Sequence, residues 1–86
     1  MSRHRNPKQY MAELGANYRR ARKECGATQA LVAECVDVSR AQIANFETGR
    51  AGISIYALHQ LCVAIGASVE SILPNIEASN EPKQET

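Results

Sequence analysis

The fold of this chain is decided by the stretch TQALVAECVDVSRAQIANFETGR, residues 28–50. Thr28 is a good N-cap for a short helix, which ends in the Val-Asp-Val turn at residues 36–38. Ser39 caps the next helix, and Gln42 stands three residues later, where a capping box needs Glu or Gln. Two helices this short are not stable alone, so the pattern predicts that both pack on neighbouring helices.

The sequence before this stretch predicts a longer first helix. Asn6 can cap this helix, and Pro7 fits its first position. The helix runs to about Glu24, and Gly26 then stops it. Its apolar residues recur every three or four positions and form one stripe, made of Met11, Leu14, Tyr18, Ala21 and Cys25. We therefore expect one face of the first helix to be buried.

The sequence after residue 47 predicts two more helices. Gly49 ends the third helix, and a fourth begins after Ser54 and closes at Gly66. Ser68 opens a short fifth helix that stops before Pro74. The expected buried face of the fourth helix comprises Ile55, Leu58, Leu61, Cys62 and Ile65. The β-branched residues fall singly within helical spacing, so the predicted fold class is all-α, a compact domain of five helices.

The chain length sets the domain organisation. Its 86 residues permit one domain, with a core too small for a deep catalytic cavity. Residues 1–6 are polar and basic, and residues 75–86 lack the apolar side chains that a core needs. We therefore expect a flexible basic N-terminal arm, a folded domain over residues 7–74 and a flexible polar C-terminal tail.

The charge is unevenly distributed along the chain, although its net value is only +1. Residues 1–26 carry a net charge of about +5, and residues 51–86 carry about −3. A basic block can face phosphates, and it can equally be a solvated helix face. Charge alone leaves both interpretations open.

The reactive side chains argue against an enzyme or a metal site. The three cysteines, Cys25, Cys35 and Cys62, form no C-x-x-C pair, and their odd number fits a reducing cytoplasm better than a secreted disulfide scaffold. Neither His4 nor His59 stands in a recognisable catalytic or zinc-ligand spacing with them. No apolar run approaches the roughly 18 to 20 residues that span a bilayer. We expect no catalysis, cofactor, metal or membrane partner.

The third predicted helix has two different faces when its residues are placed 100° apart. One face carries Arg40, Ala41, Ala44, Asn45 and Thr48, and the other carries Ile43, Phe46 and Glu47. Arginine and asparagine match the major-groove edges of guanine and adenine, and an alanine methyl suits a thymine methyl. Small side chains also let the backbone approach a flat partner. The first face therefore fits DNA bases.

The same stretch resembles the phage-repressor or Cro-like helix-turn-helix regulators, also called the xenobiotic-response-element family. The TQ, VxVSR and FExGR signatures fall in register without a gap over residues 28–50. The resemblance extends over about residues 12–73, through Ile53, Ile55, Leu58, Leu61 and the IGAS sequence at 65–68. It implies a lambda-repressor-like DNA-binding domain, with the helix-turn-helix formed by helices 2 and 3.

The resemblance also implies roles for individual residues. Gln29 would hold a phosphate and help to orient the recognition helix, and Thr48 and Arg50 would reach the DNA backbone. Gln42 is left with two interpretations, a phosphate contact or a structural capping role. The residues expected to face base edges or nearby phosphates are Ser39, Arg40, Ala41, Ala44 and Asn45.

Two further features come from the same comparison of motifs. Arg22 and Glu47 match a pair that ties the first helix to the recognition helix, as a structural ion pair. Asp37 takes the turn position where the family commonly has glycine, and Leu31 takes a position that is usually polar. Leu31 is then an extra contact or a tolerated exposed leucine.

The expected function is a sequence-specific DNA-binding transcriptional regulator, a repressor or autoregulator that binds a palindromic operator as a homodimer. The candidate dimer residues are Val63, Ile72, Leu73 and Ile76, and each could equally be an ordinary core residue or a scattered surface residue. The alternative is an antitoxin-like or accessory module that keeps the fold and binds a regulatory protein partner. Arg40 and Asn45 on one face favour DNA.

Overall fold

The structure is a computed structural model that describes residues 6–76. These residues form five α-helices and no strand, which confirms the predicted all-α class. The helices are α1 (Pro7–Glu24), α2 (Gln29–Cys35), α3 (Arg40–Glu47), α4 (Ile55–Ala64) and α5 (Val69–Ile72). The predicted arm and tail lie outside the described residues, apart from residues 6, 75 and 76.

Every helix begins at the cap residue that the sequence predicts. The cap side chain accepts a hydrogen bond from a backbone N–H three residues later, over distances of 2.8 to 3.2 Å. The caps are Asn6, Thr28, Ser39, Ser54 and Ser68. Gly26 and Gly66 follow α1 and α4 with φ of 83° and 72°, a conformation that glycine adopts without a Cβ clash.

The core lies where α1, α3, α4 and α5 meet, and Tyr18 is at its centre. The Tyr18 ring packs on Phe46 with 5.9 Å between ring centroids, and its hydroxyl donates to the Leu61 carbonyl at 2.9 Å. Burial raises the pKa of Tyr18 well above its usual value, so the hydroxyl keeps its proton and remains a donor. One tyrosine thus links α1, α3 and α4.

Helices α1 and α3 approach each other through glycines. A Cβ on Gly15 would collide with the carbonyl oxygen of Phe46, and its next contacts are backbone carbons of α3 at 3.0 and 3.1 Å. At Gly49, where φ is +78°, a Cβ would lie 2.9 Å from the Ala12 Cα. The two helices therefore cross with almost no side-chain spacer between them, which fixes the position of α3.

The structure corrects three expectations about burial. Ile72, a candidate dimer residue, is buried in the core, and its carbonyl accepts from Asn17 Nδ2 on α1 at 2.9 Å. The prediction is wrong for Ile72, because α5 packs on α1 and turns this side chain inward. Ile55 is exposed, since it is the first residue of α4, and Ile53 before it packs on the core instead. Cys25 is also exposed, at the end of α1.

Candidate nucleic-acid interface

The start of α3 is held in place by the turn that precedes it. Val36 leaves α2 with extended dihedrals (φ −134°, ψ 169°), and Val38 is buried two residues later. A capping box follows: Ser39 Oγ accepts from the Gln42 backbone N–H at 3.1 Å, and Gln42 Oε1 accepts from the Ser39 N–H at 2.9 Å. These two hydrogen bonds therefore hold the first turn of α3 in place.

The inner face of α3 is attached to α1 by a buried ion pair. Arg22 Nε donates to Glu47 Oε2 at 2.7 Å, and Arg22 Nη2 donates to Glu47 Oε1 at 2.9 Å. Arg22 and Glu47 are only 6% and 4% exposed. The hydrogen bonds to Glu47 raise the pKa of Arg22 above its usual value, so the guanidinium stays charged. This bidentate geometry fixes the rotation of α3 about its own axis.

Gln29 joins the same group of side chains from the start of α2. Its Nε2 donates to Glu47 Oε1 at 3.0 Å, and Arg22 Nη1 donates to the Ala27 carbonyl at 2.8 Å. One carboxylate thus connects α1, α2 and α3. The Gln29 side-chain amide has two N–H groups. One donates to Glu47, and the other has no acceptor within residues 6–76, so it can donate to a ligand.

The outer face of α3 has the opposite character. Arg40, Ala41 and Asn45 are exposed and Ala44 is half-buried, as the helical wheel predicts. The side chains of Arg40 and Asn45 make no hydrogen bond or ion pair within residues 6–76. On the helical wheel these two side chains lie at the two edges of the outer face, and Ala41, Ala44 and Thr48 lie between them.

The residues after α3 are held by its last turn. The backbone N–H of Arg50 donates to the Asn45 carbonyl at 2.9 Å, which holds the exposed Arg50 close to α3. Thr48 Oγ1 donates to the Ala44 carbonyl at 3.0 Å. The Thr48 hydroxyl has one proton, and this hydrogen bond uses it. In this rotamer Thr48 can therefore reach a phosphate only through a bridging donor, such as a water molecule. Arg50 is the stronger candidate for a phosphate contact.

Gln42 lies beside this face and fits both interpretations that the sequence leaves open. Its Oε1 is used in the capping box, but the side-chain NH2 group is left as a donor next to Asn45. Leu31 is also exposed, on α2, so it contributes little to the core. Together with Gln29 and Arg50, the outer face of α3 forms one surface of donors and small side chains.

The sequence model of the helix-turn-helix domain family matches residues 13–72. The chain belongs to this family. It is a Cro-like helix-turn-helix domain, in which α2 and α3 form the motif and α3 is its second helix. No curated protein gives a match.

Solved structures with the same fold include a gene regulator, a DNA-binding domain and an enzyme. The clp gene regulator ClgR from Corynebacterium glutamicum is 35% identical, with a TM-score of 0.71, over 73% of this chain and 67% of that chain. The DNA-binding domain of BldD is 25% identical (TM-score 0.69, 78% and 97% covered). Hydroxypropylphosphonic acid epoxidase from S. wedmorenis is 18% identical (TM-score 0.70), over 78% of this chain but only 36% of the enzyme. That last likeness shows the fold alone.

Other kinds of site have little support in this helix-turn-helix domain. Within residues 6–76, no three His, Cys, Asp or Glu side chains are grouped closely enough to hold a metal ion. No helix in the same range is long and apolar enough to cross a membrane. Cys25 and Cys35 are exposed, whereas Cys62 is buried, and burial raises the pKa of its thiol.

Sequence reasoning missed Gly15, which positions α3 although it contacts no ligand. The available signal was a glycine inside a helix, which costs about 1 kcal/mol relative to alanine and so indicates a packing reason. It also missed Ala27, whose carbonyl accepts from Arg22. A backbone acceptor carries no residue-type signal.

Proposed function

We propose that this chain is a sequence-specific transcriptional regulator, a repressor or autoregulator acting in the cytoplasm, which binds a palindromic operator as a dimer. The observation that carries the proposal is the contrast between the paired inner face and the unpaired outer face of α3. Arg22, Gln29 and Glu47 hold the helix rigidly, while Arg40 and Asn45 are left without partners in the described residues. Rigid support with unused donors is what base recognition needs.

The proposed base contacts follow from side-chain chemistry. Arg40 is the bidentate donor for guanine O6 and N7, and Asn45 is the bidentate partner for adenine N6 and N7. Ala41 and Ala44 would contact thymine methyl groups, which small apolar side chains allow. Ser39, Gln42, Gln29 and Arg50 would contact phosphates around these bases, and Thr48 would reach a phosphate through a bridging water.

A dimer is proposed because one α3 reads few bases. Two bidentate side chains specify about two base pairs, which is too little to select one site in a genome. Two copies on inverted half-sites double the sequence that is read, with recognition helices about 34 Å apart on one face of DNA. The operator would therefore be an inverted repeat whose half-sites each contain a guanine and an adenine.

The test is selection of bound duplexes from a random-sequence DNA library, followed by fluorescence anisotropy on the enriched sequence at two salt concentrations. Wild type is expected to enrich an inverted repeat, and Arg40→Ala is expected to lose the preference for guanine at one position per half-site. Asn45→Ala is expected to lose the preference for adenine in the same way.

Lys23→Ala is the matched control, because it removes the same charge as Arg40→Ala from an exposed position on α1. It is expected to weaken binding to all sequences equally, with the motif unchanged. Two outcomes would exclude base reading by α3. Either the wild type enriches no sequence, or the Arg40→Ala and Asn45→Ala variants enrich the same motif as the wild type. The alternative function, binding of a protein partner through the same fold, would then lead.

A further inference from the structure

We infer that the outward face of α4 is the surface through which a second copy of this chain binds. The α4 stripe, defined here as Tyr56, His59 and Val63, lies on one side of the helix at three- and four-residue spacing and faces solvent. Tyr56 is 66% exposed and Val63 is 76% exposed, with Ile55 at 71% beside them. These are the three most exposed large apolar side chains of residues 6–76.

The α4 stripe differs from an ordinary solvated helix because it contains no Asp, Glu, Lys or Arg, and His59 is its one basic side chain. From Ala51 to Val69 the chain has no Asp, Glu, Lys or Arg, although these residues make up 22% of the sequence. Every other helix carries at least one of them. A helix on the surface of a small protein normally presents charged residues to water, and their absence marks a face that is covered by a partner.

The shape beside the stripe provides a place for the partner's side chains. Where α2 ends against α4, an open and largely apolar groove of about 400 Å³ is lined by Cys35, Val36, Tyr56, His59, Gln60, Val63 and Ala64. Each copy thus carries both protruding apolar side chains and an apolar groove next to them. In a contact with two-fold symmetry, the side chains of one copy can enter the groove of the other, and the reverse contact forms at the same time.

Charge selects a second copy as the occupant. A two-fold contact places the same patch of both chains face to face, so any charge near the axis meets a like charge. The exposed face of α1 carries Arg19, Arg20 and Lys23 and would repel itself. The outer face of α3 is the proposed DNA surface. The α4 stripe is the exposed apolar face that can pair with itself without like charges in contact.

The α4 contact rests on the proposed function, because that function is the reason for a dimer. Self-association can nevertheless be measured without DNA. It also divides the candidate dimer residues of the sequence into two groups. Val63 belongs to the α4 stripe, whereas Leu73 and Ile76 are exposed after α5, beyond Glu70 and outside the charge-free segment. The two groups can be tested against each other.

The experiment is sedimentation equilibrium of the full chain over a concentration series, with Val63→Asp, Tyr56→Asp and the control Ile76→Asp. Wild type is expected to show a reversible monomer–dimer equilibrium. Val63→Asp and Tyr56→Asp are each expected to weaken the dimer about a hundredfold or more, because the new charge meets its symmetry copy. Ile76→Asp adds the same charge at a comparably exposed apolar position and is expected to leave the dimer unchanged.

Circular dichroism melting curves show whether each variant is folded, and both α4 positions are exposed enough that the Tm should be retained. A wild-type monomer at all concentrations, or a dimer lost in Ile76→Asp but kept in folded Val63→Asp, overturns the inference. Failure of the proposed function has a different signature. If the dimer is lost in Val63→Asp but the wild type selects no DNA sequence, the α4 contact stands and the proposed operator binding is wrong.

Discussion

The two faces of α3 have opposite characters: one is buried and hydrogen-bonded, and the other is exposed. On the inner face, Ile43 and Phe46 are fully buried, and the Glu47 carboxylate accepts three hydrogen bonds from Arg22 and Gln29. On the outer face, Arg40 and Asn45 are exposed and unpaired within residues 6–76. One helix of 8 residues therefore combines a surface that determines its position with a surface that is available to a ligand.

This difference shows how a small domain can change what it reads without changing how it folds. Substitutions at Arg40 or Asn45 remove no side-chain hydrogen bond within residues 6–76, so the base contacts can vary while the fold is kept. Substitutions on the inner face move or loosen the whole helix. The contacts therefore assign stability to the inner face of α3 and recognition to its outer face, and variants of the two faces should differ accordingly.

The largest effect is expected when the ion pair loses one member. Glu47→Ala leaves the Arg22 guanidinium buried without its carboxylate and removes the acceptor of Gln29. We expect the free energy of unfolding to fall by about 3–5 kcal/mol, a large part of the 5–15 kcal/mol typical of a domain. Urea unfolding followed by circular dichroism measures this loss.

A double variant separates the charge from the packing. Arg22→Met combined with Glu47→Leu replaces both partners by apolar side chains and leaves no unpaired charge, so it is expected to be much more stable than Glu47→Ala alone. If the single variant lost less than about 1 kcal/mol, the pair would behave as a surface ion pair, and the inner face would not hold α3 as described.

A smaller loss is expected at the helix crossing. Gly15→Ala places a Cβ against the carbonyl of Phe46, and because the obstacle is backbone, α1 and α3 must separate. We expect the free energy of unfolding to fall by about 1–3 kcal/mol, although alanine is the better helix former. Gly52→Ala is the control, since its nearest neighbour would be the Met11 Cε at 3.8 Å and its stability should change little. Equal stability of both variants would contradict the close crossing.

Much of this architecture could be predicted from local sequence patterns, because caps and helical spacing are local. All five helices, the caps at Thr28 and Ser39, and the division of α3 into two faces follow from neighbours within four residues. The Arg22–Glu47 pair spans 25 residues, and only the resemblance to a family indicated it. Contacts between distant residues leave no periodic signal in one sequence.

The errors have the same physical origin. Periodicity shows that one face of a helix is apolar, but it does not show which neighbouring helix covers that face or where the cover ends. The sequence makes Ile72 a candidate for a dimer surface although α1 covers it, and it puts Ile55 on the buried face although Ile55 lies at the uncovered end of α4. The α4 stripe was visible only after the fold had shown which apolar residues remain exposed.

The smallest effect on stability is expected on the outer face of α3. Arg40→Ala and Asn45→Ala remove side chains that have no partner in the described residues, and alanine suits a helix interior. Each variant should change the free energy of unfolding by no more than about 0.5 kcal/mol in urea unfolding. A loss above about 1 kcal/mol would mean that these side chains support the fold. The reduced DNA binding of either variant would then reflect partial unfolding. If the free energy of unfolding is unchanged, the reduced DNA binding reflects a lost base contact.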